Sequence, residues 1–245
     1  MTRLERELET MNKTVARIGV AILVIVAATF AFTSRSMGSA LAAPASAVPA
    51  PAVDNALAAK PGQETAVFAG GCFWGIQAVY QHVRGVKSAV SGYSGGHVVA
   101  PSYYQVSSGN TGHAESVRVI FDPSKVSYGQ LLQVFFAVAH DPTQLNRQGP
   151  DVGTQYRSEI FYTNAAQKKI ATAYIEQLSK AKVYSRDIVT KVSALEKFNV
   201  AEDYHQNYAN EHPNDPYIRF NDAPKVEALK SELSGFYKAD LSSWK

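Results

Sequence analysis

"TAVFAGGCFWGIQAVYQHV", Thr65 to Val83, changes its hydrophobic period halfway along. Thr65 to Ala69 is a short apolar run closed by paired glycines, which reads as a buried strand entering a tight turn. Beyond it Phe73, Ile76, Val79, Tyr80 and Val83 recur at helical spacing. The stretch is therefore strand, turn, helix. The chain's one cysteine, Cys72, falls at or just before the first helical turn.

Working outward, "VKSAVSGYSGG" and "AESVRVIFD" read as two strands in direct succession, and "SYGQLLQVFFAVA" and "NAAQKKIATAYIEQLSKA" as amphipathic helices. Ser127 is placed to cap the first of these helices, and Thr163 or Asn164 the second. "SEIFYT" and "DIVTKV" read as further short strands. Two strands in succession between helices suit an α+β fold better than a doubly wound parallel sheet. The expected fold is a two-layer sandwich: a mixed, mainly antiparallel sheet, helices on it, and a long C-terminal coil. That coil, Asn207 to Pro224, precedes a final short helix carrying Val226, Leu229 and Leu233.

The chain has 245 residues and a net charge of +3, with no block of clustered Lys and Arg. No nucleic-acid track or acidic-lipid patch is implied. A single Cys excludes an internal disulfide framework and a thiol-rich zinc site, so the thiol is either inert core or chemistry. A helix start favours chemistry, because unpaired N–H groups and the macrodipole stabilise a thiolate there. A small buried hydrophobe is the alternative.

In "SSGNTGHAESVRVIF" strand alternation puts Glu115 on one face with Val117, Val119 and Phe121. A carboxyl group among apolar side chains is held neutral and can act as a general acid. A surface Glu at a frayed strand end is the competing reading. "HAE", His113 to Glu115, also matches half of a zinc-deaminase signature, but the paired-cysteine half is missing; His113 is expected to hydrogen-bond within its loop. The polar loop "HDPTQLNRQGPDVGTQYRS", His140 to Ser158, is either a disordered insertion or a functional loop. Asp151 and Tyr156 end it before a strand, and Tyr103 in "PSYYQV" could be aimed inward in the same way. With 13 Tyr in the chain, single tyrosines carry little weight.

At the N-terminus Lys13 and Arg17 precede the apolar run Ile18 to Phe32, followed by small-residue cleavage options such as Ala40-Leu41-Ala42. Residues 1–42 are read as a secretory signal or N-terminal membrane anchor. The uncharged interval between Arg17 and Arg35 falls short of the ~20 apolar residues that favour an anchor. The charged "TRLERELET" is unusual before a signal, which makes Met11 a candidate start. Residues 43–63, Pro- and Ala-rich, read as a linker. Residues 64–245 are expected to fold as one domain, a monomer in an exported, periplasmic or extracytoplasmic setting, touching the inner membrane only through an anchor.

Taken in order, "GGCFWG", "SGNTGHAE", "HDPTQLNRQGPDVGTQYRS" and "AEDYHQNY" resemble the A-class peptide methionine sulfoxide reductases, which reduce the S epimer of methionine sulfoxide. The resemblance spans roughly Ala66 to Phe220. It implies that Cys72 attacks the sulfoxide sulfur and becomes a sulfenic acid. Glu115 would be the acid, Tyr103 and Tyr156 would hold the sulfoxide oxygen, Phe73 and Trp74 would form the S-methyl pocket, and Asp151 would support it. No metal or organic cofactor is implied; the substrate is methionine sulfoxide, free or in oxidised proteins. Many relatives carry further cysteines in the C-terminal coil. Here there are none, and Ser107 stands where some place another. The resemblance then implies an external thiol reductant, thioredoxin-like, glutaredoxin-like or small. Two rival readings are a cysteine hydrolase pairing Cys72 with His205, and a non-catalytic module with an aromatic pocket.

Overall fold

The computed structural model describes residues 48–241; the signal or anchor expected over 1–42 lies outside them. Eight strands and six α-helices follow in chain order: β1 (Glu64–Gly70), α1 (Phe73–Gln81), β2 (Val86–Ser94), α2 (Tyr103–Ser107), β3 (Ala114–Phe121), α3 (Tyr128–Val134), β4 (Arg147–Gln148), β5 (Asp151–Val152), β6 (Ser158–Tyr162), α4 (Ala165–Lys180), β7 (Lys191–Ala194), β8 (Phe198–Val200), α5 (Tyr208–Glu211) and α6 (Ala223–Glu232).

Six strands form one sheet in the order β7-β6-β1-β3-β2-β8, while β4 and β5 make a separate hairpin inside the polar loop. All neighbours in the large sheet are antiparallel except β6 and β7. This is the expected mixed, mainly antiparallel α+β sheet. One face carries the main core, where Phe68 of β1 stacks on Tyr80 of α1 at 5.1 Å and on Phe135 at 5.1 Å. The other face buries a small cluster of Val67, Ala69, Ala114 and Phe161, with Leu195 and Phe198 packed against it.

The expected caps form where sequence placed them. Ser127 accepts the Gln130 N–H at 3.1 Å to start α3, and Asn164 accepts the Gln167 N–H at 2.9 Å to start α4. Ser102 and Gln105 make the same reciprocal box at α2, a helix not expected in that loop although its Ser-x-x-Gln signature was present. Past Val134, α3 widens into a π-helical turn over Phe135–Ala139, where the Phe135 carbonyl accepts a bond from His140 Nδ1 at 3.0 Å. The strand expected over Asp187–Val192 is displaced to Lys191–Ala194. Val189 N–H is drawn to the Pro142 carbonyl at 2.9 Å and Thr190 to Ser158 at 2.8 Å, so pairing with β6 begins only at Lys191. β8 was also not expected; it is three residues long and pairs with the edge of β2.

Residues 48–62, read from composition as linker, lie against the domain. Val48 is buried in the main core, the Tyr174 hydroxyl donates to the Pro49 carbonyl at 2.6 Å, and Gln177 Nε2 donates to the Ala50 carbonyl at 2.9 Å. Asp54 accepts the Gly129 N–H at 2.9 Å through Oδ1 and the Ser127 hydroxyl through Oδ2. A carboxylate at a helix N-terminus satisfies orphan donors and complements the macrodipole. Asp54→Ala should therefore cost about 1 kcal/mol, read as a lower urea midpoint; an unchanged midpoint would show that this carboxylate adds no stability.

Candidate active site

β1 ends where the side chains of His140 and Gln148 crowd two glycines. A side chain at Gly70 would come within 2.8 Å of the His140 ring, and one at Gly71 within 2.5 Å of Gln148 Cγ. Gly71 also sits at φ +101°, a conformation open to glycine and strained for other residues. The turn delivers Cys72 to the N-cap position of α1, as the sequence indicated. The Trp74 backbone N–H favours the thiolate, yet burial raises the thiol well above its ordinary value, with the charges of Glu115 and Asp222 adding to the rise. The expectation of a depressed thiol is thus corrected for the substrate-free site. Lost hydration outweighs the N–H group and the charge of Lys225.

Glu115 is 2% exposed and shares its face with Val117, Val119 and Phe121, each at 0%. The frayed-end alternative is excluded. Its Oε2 accepts the Phe73 N–H at 3.0 Å, linking β3 to the first turn of α1. Burial lifts the carboxyl to about 8; the Phe73 N–H opposes this, and the neighbouring Asp151 and Asp222 reinforce it. The site therefore presents a protonated acid beside a protonated thiol at neutral pH.

Tyr103 and Tyr156 converge on the same place, each feeling the charges of both Glu115 and Cys72. Burial first, then those charges, pushes the Tyr103 phenol up to about 12 and moves Tyr156 in the same direction. Both hydroxyls stay protonated and able to donate. Tyr103 is held from below: its N–H donates to Glu202 Oε1 at 2.8 Å, while the Tyr93 hydroxyl donates to Oε2 of the same carboxylate at 2.8 Å. The turn carrying Tyr156 is tied to α2 by Gln155 Nε2, which donates to the Ser107 carbonyl at 3.1 Å. Asp151, half-buried, accepts the hydroxyl of Tyr217 and is raised by burial.

An aromatic wall completes the site. Phe73 is buried, with its ring 5.8 Å from Tyr93 and 5.0 Å from His205. Trp74 is partly exposed, stacked on Tyr208 at 3.9 Å with 13° between planes, and meets Tyr217 edge-on at 6.0 Å. Tyr208, Tyr217 and Glu202 were not singled out from sequence. Glu202 and Tyr208 lie within the motif "AEDYHQNY" and Tyr217 in the coil-like stretch beyond it; none has a period to aim it, and each acts across a long sequence separation. His205 does not show the hydrolase arrangement: Nδ1 faces the Trp74 indole N–H at 3.3 Å rather than an Asn or Asp that would orient it as a base. The His113 ring bonds not within its own loop but across to the loop after β2, meeting the Gly96 N–H at 3.1 Å and the Val98 carbonyl at 2.8 Å. Among the described residues no three His, Cys, Asp or Glu side chains group as metal ligands.

The family described as "Peptide methionine sulfoxide reductase" matches residues 64–235. A "Peptide methionine sulfoxide reductase MsrA 2" of Mesorhizobium japonicum is 59% identical over 179 residues, covering 73% of this chain and 92% of that one. A protein of the same name from Synechocystis is 48% identical over 207 residues, covering 83% and 97%. Among solved structures, methionine sulfoxide reductase A of Corynebacterium diphtheriae is 35% identical with a TM-score of 0.55, covering 63% of this chain and 77% of that one. Mxr1 of Saccharomyces cerevisiae in reduced form is 31% identical with a TM-score of 0.53, covering 64% and 93%. With the thiol, the buried acid and the two hydroxyls converging as described, and with this match over most of its length, the chain belongs to the peptide methionine sulfoxide reductase family.

Proposed function

We propose that this protein reduces the S epimer of methionine sulfoxide, free or within oxidised proteins, through a sulfenic acid on Cys72 that an external thiol returns to the resting state. The observation that carries this reading is the juxtaposition of a buried, protonated Glu115 with the buried thiol of Cys72. A sulfoxide is neutral but strongly dipolar, and it enters a site that carries no charge on either group. Its oxygen takes bonds from the Tyr103 and Tyr156 hydroxyls and from the Glu115 carboxyl. Donors set in place before charge develops act strongly where water is excluded.

As Cys72 Sγ attacks, the sulfoxide S–O bond breaks and an S–O bond forms on Cys72. The substrate sulfur gains two electrons and Cys72 loses two. Glu115 lends its proton to the oxygen as negative charge grows and recovers the one that the thiol gives up. The net step, thiol plus sulfoxide to sulfenic acid plus thioether, moves no proton to or from solvent. That suits a buried pair. Phe73 and Trp74 supply apolar surface for the S-methyl group, and the Asp151–Tyr217 bond fixes the far side of the pocket.

Cys72 is the chain's one cysteine, so no second protein sulfur can close a disulfide within it. Recycling then takes two thiol equivalents from outside, which leave as a disulfide with release of water. The order of charged, apolar and small residues before Ala43 supports export of the protein to an extracytoplasmic compartment.

Cys72→Ser should abolish turnover of S-sulfoxide substrates, and one turnover of the wild type without thiol should leave Cys72 bearing one added oxygen by mass spectrometry. Retained turnover, or a crosslink in place of the added oxygen, would overturn the cycle. Glu115→Gln should slow the single-turnover step by ~100-fold or more. The same substitution has a stability signature. Between the ordinary carboxyl value of 4.5 and about 8 the folded state keeps a proton that the unfolded chain has released, so wild-type stability falls as pH rises through that window. Glutamine cannot ionise. The urea midpoint of Glu115→Gln relative to wild type should rise from pH 4.5 to pH 8, and a constant difference would contradict a buried neutral acid.

A further inference from the structure

His205 is 2% exposed and sits on the short 3₁₀ turn Asp203–His205, enclosed by the rings of Tyr103 at 4.4 Å, Tyr204 at 4.3 Å and Phe73 at 5.0 Å. Its Nδ1 lies 3.3 Å from the Trp74 indole nitrogen, a donor that carries no lone pair to offer in return. Nδ1 must therefore be the acceptor, and the proton of the neutral imidazole rests on Nε2. That Nε2 is buried and has no hydrogen-bond partner.

An orphaned buried donor is unfavourable, and a phenylalanine here would keep the ring contacts without it. What the imidazole supplies and a phenyl ring cannot is the acceptor for Trp74. The indole needs that acceptor for a geometric reason. Stacking on Tyr208, with 13° between planes, sets the plane of the ring but does not by itself fix its orientation within that plane. A bond to the indole N–H fixes it.

We propose that His205 is a positioning residue for sulfoxide binding: by accepting the Trp74 N–H it sets the in-plane orientation of the indole that walls the S-methyl pocket. The inference rests on the reading of Trp74 as that wall. It also assigns His205 a place in the binding of substrate rather than in proton transfer. The groups around the imidazole are consistent with a neutral acceptor. Burial disfavours its charged form, and the carboxylate of Glu202, spent on Tyr103 N–H and the Tyr93 hydroxyl, opposes this only in part. Tyr103 and Tyr204 are the other titratable groups against the ring, and both phenols are raised, so neither carries charge at neutral pH. Protonation of Nδ1 in acid would set two donors face to face and release the indole.

The test compares His205→Phe, which keeps a ring and loses the acceptor, with His205→Asn, whose Oδ1 falls near the position of Nδ1. Loss of one hydrogen bond predicts a KM for methionine S-sulfoxide raised about three- to tenfold in His205→Phe. The single-turnover rate at saturating substrate should change far less, and His205→Asn should recover most of the KM. In wild type KM should rise as pH falls below the ordinary imidazole range, and in His205→Asn it should not. In a Trp244→Phe background, where Trp74 is the one remaining indole, its emission should shift in His205→Phe and not in His205→Asn. Unchanged KM and emission in His205→Phe, or equal impairment in His205→Asn, overturns the inference. Trp74→Phe separates the two layers: if it raises KM while His205→Phe does not, the positioning role alone fails. If Trp74→Phe leaves KM unchanged, the pocket reading fails and the inference falls with it.

Discussion

The Phe73 N–H and the Glu115 carboxyl meet at 3.0 Å, and the rest of the site is arranged around that bond. It joins the middle strand of the sheet to the first turn of the helix that Cys72 caps. The Phe73 N–H favours the ionised carboxylate, while burial keeps the carboxyl neutral. Two opposing effects act on Glu115, and desolvation wins. A surface carboxylate in the same register would be ionised, would repel the electrons moving onto the sulfoxide oxygen, and would have no proton to lend.

The same competition decides the thiol. A helix N-terminus lowers a cysteine pKa when the sulfur retains access to water, and the position of Cys72 was legible in the paired glycines and the change of period after them. Its electrostatic state was not. Burial of the sulfur and proximity to Glu115 come from packing of β1, β3 and α1 together, and they reverse the sign that position alone suggests. The outcome is a site that holds two protons, one on Cys72 and one on Glu115.

Elements with a strong local signal were readable: the alternation that aims Glu115 inward, the Ser127 and Asn164 caps, and the periodic helices α1, α3 and α4. What sequence did not reveal is long-range. Tyr217 reaches Asp151 across 66 residues, Trp74 reaches His205 across 131, and Gly129 reaches Asp54 across 75. None of these pairs sits in a periodic pattern, and each lies partly in a Pro-, Asn- or Tyr-rich segment whose composition reads as coil. The strap over residues 48–62 shows why composition misleads there: its anchoring runs through backbone groups and one carboxylate rather than through an apolar stripe.

Glu115 is held as a neutral acid next to the Cys72 thiol. Isotope-edited infrared spectroscopy of the glutamate carboxyl, comparing wild type with Glu115→Gln across pH, reads that state directly. A protonated-carboxyl band, absent from the variant, should persist through neutral pH and be lost around pH 8. A Glu115 band that disappears in the ordinary carboxylate range, near 4.5, would contradict it.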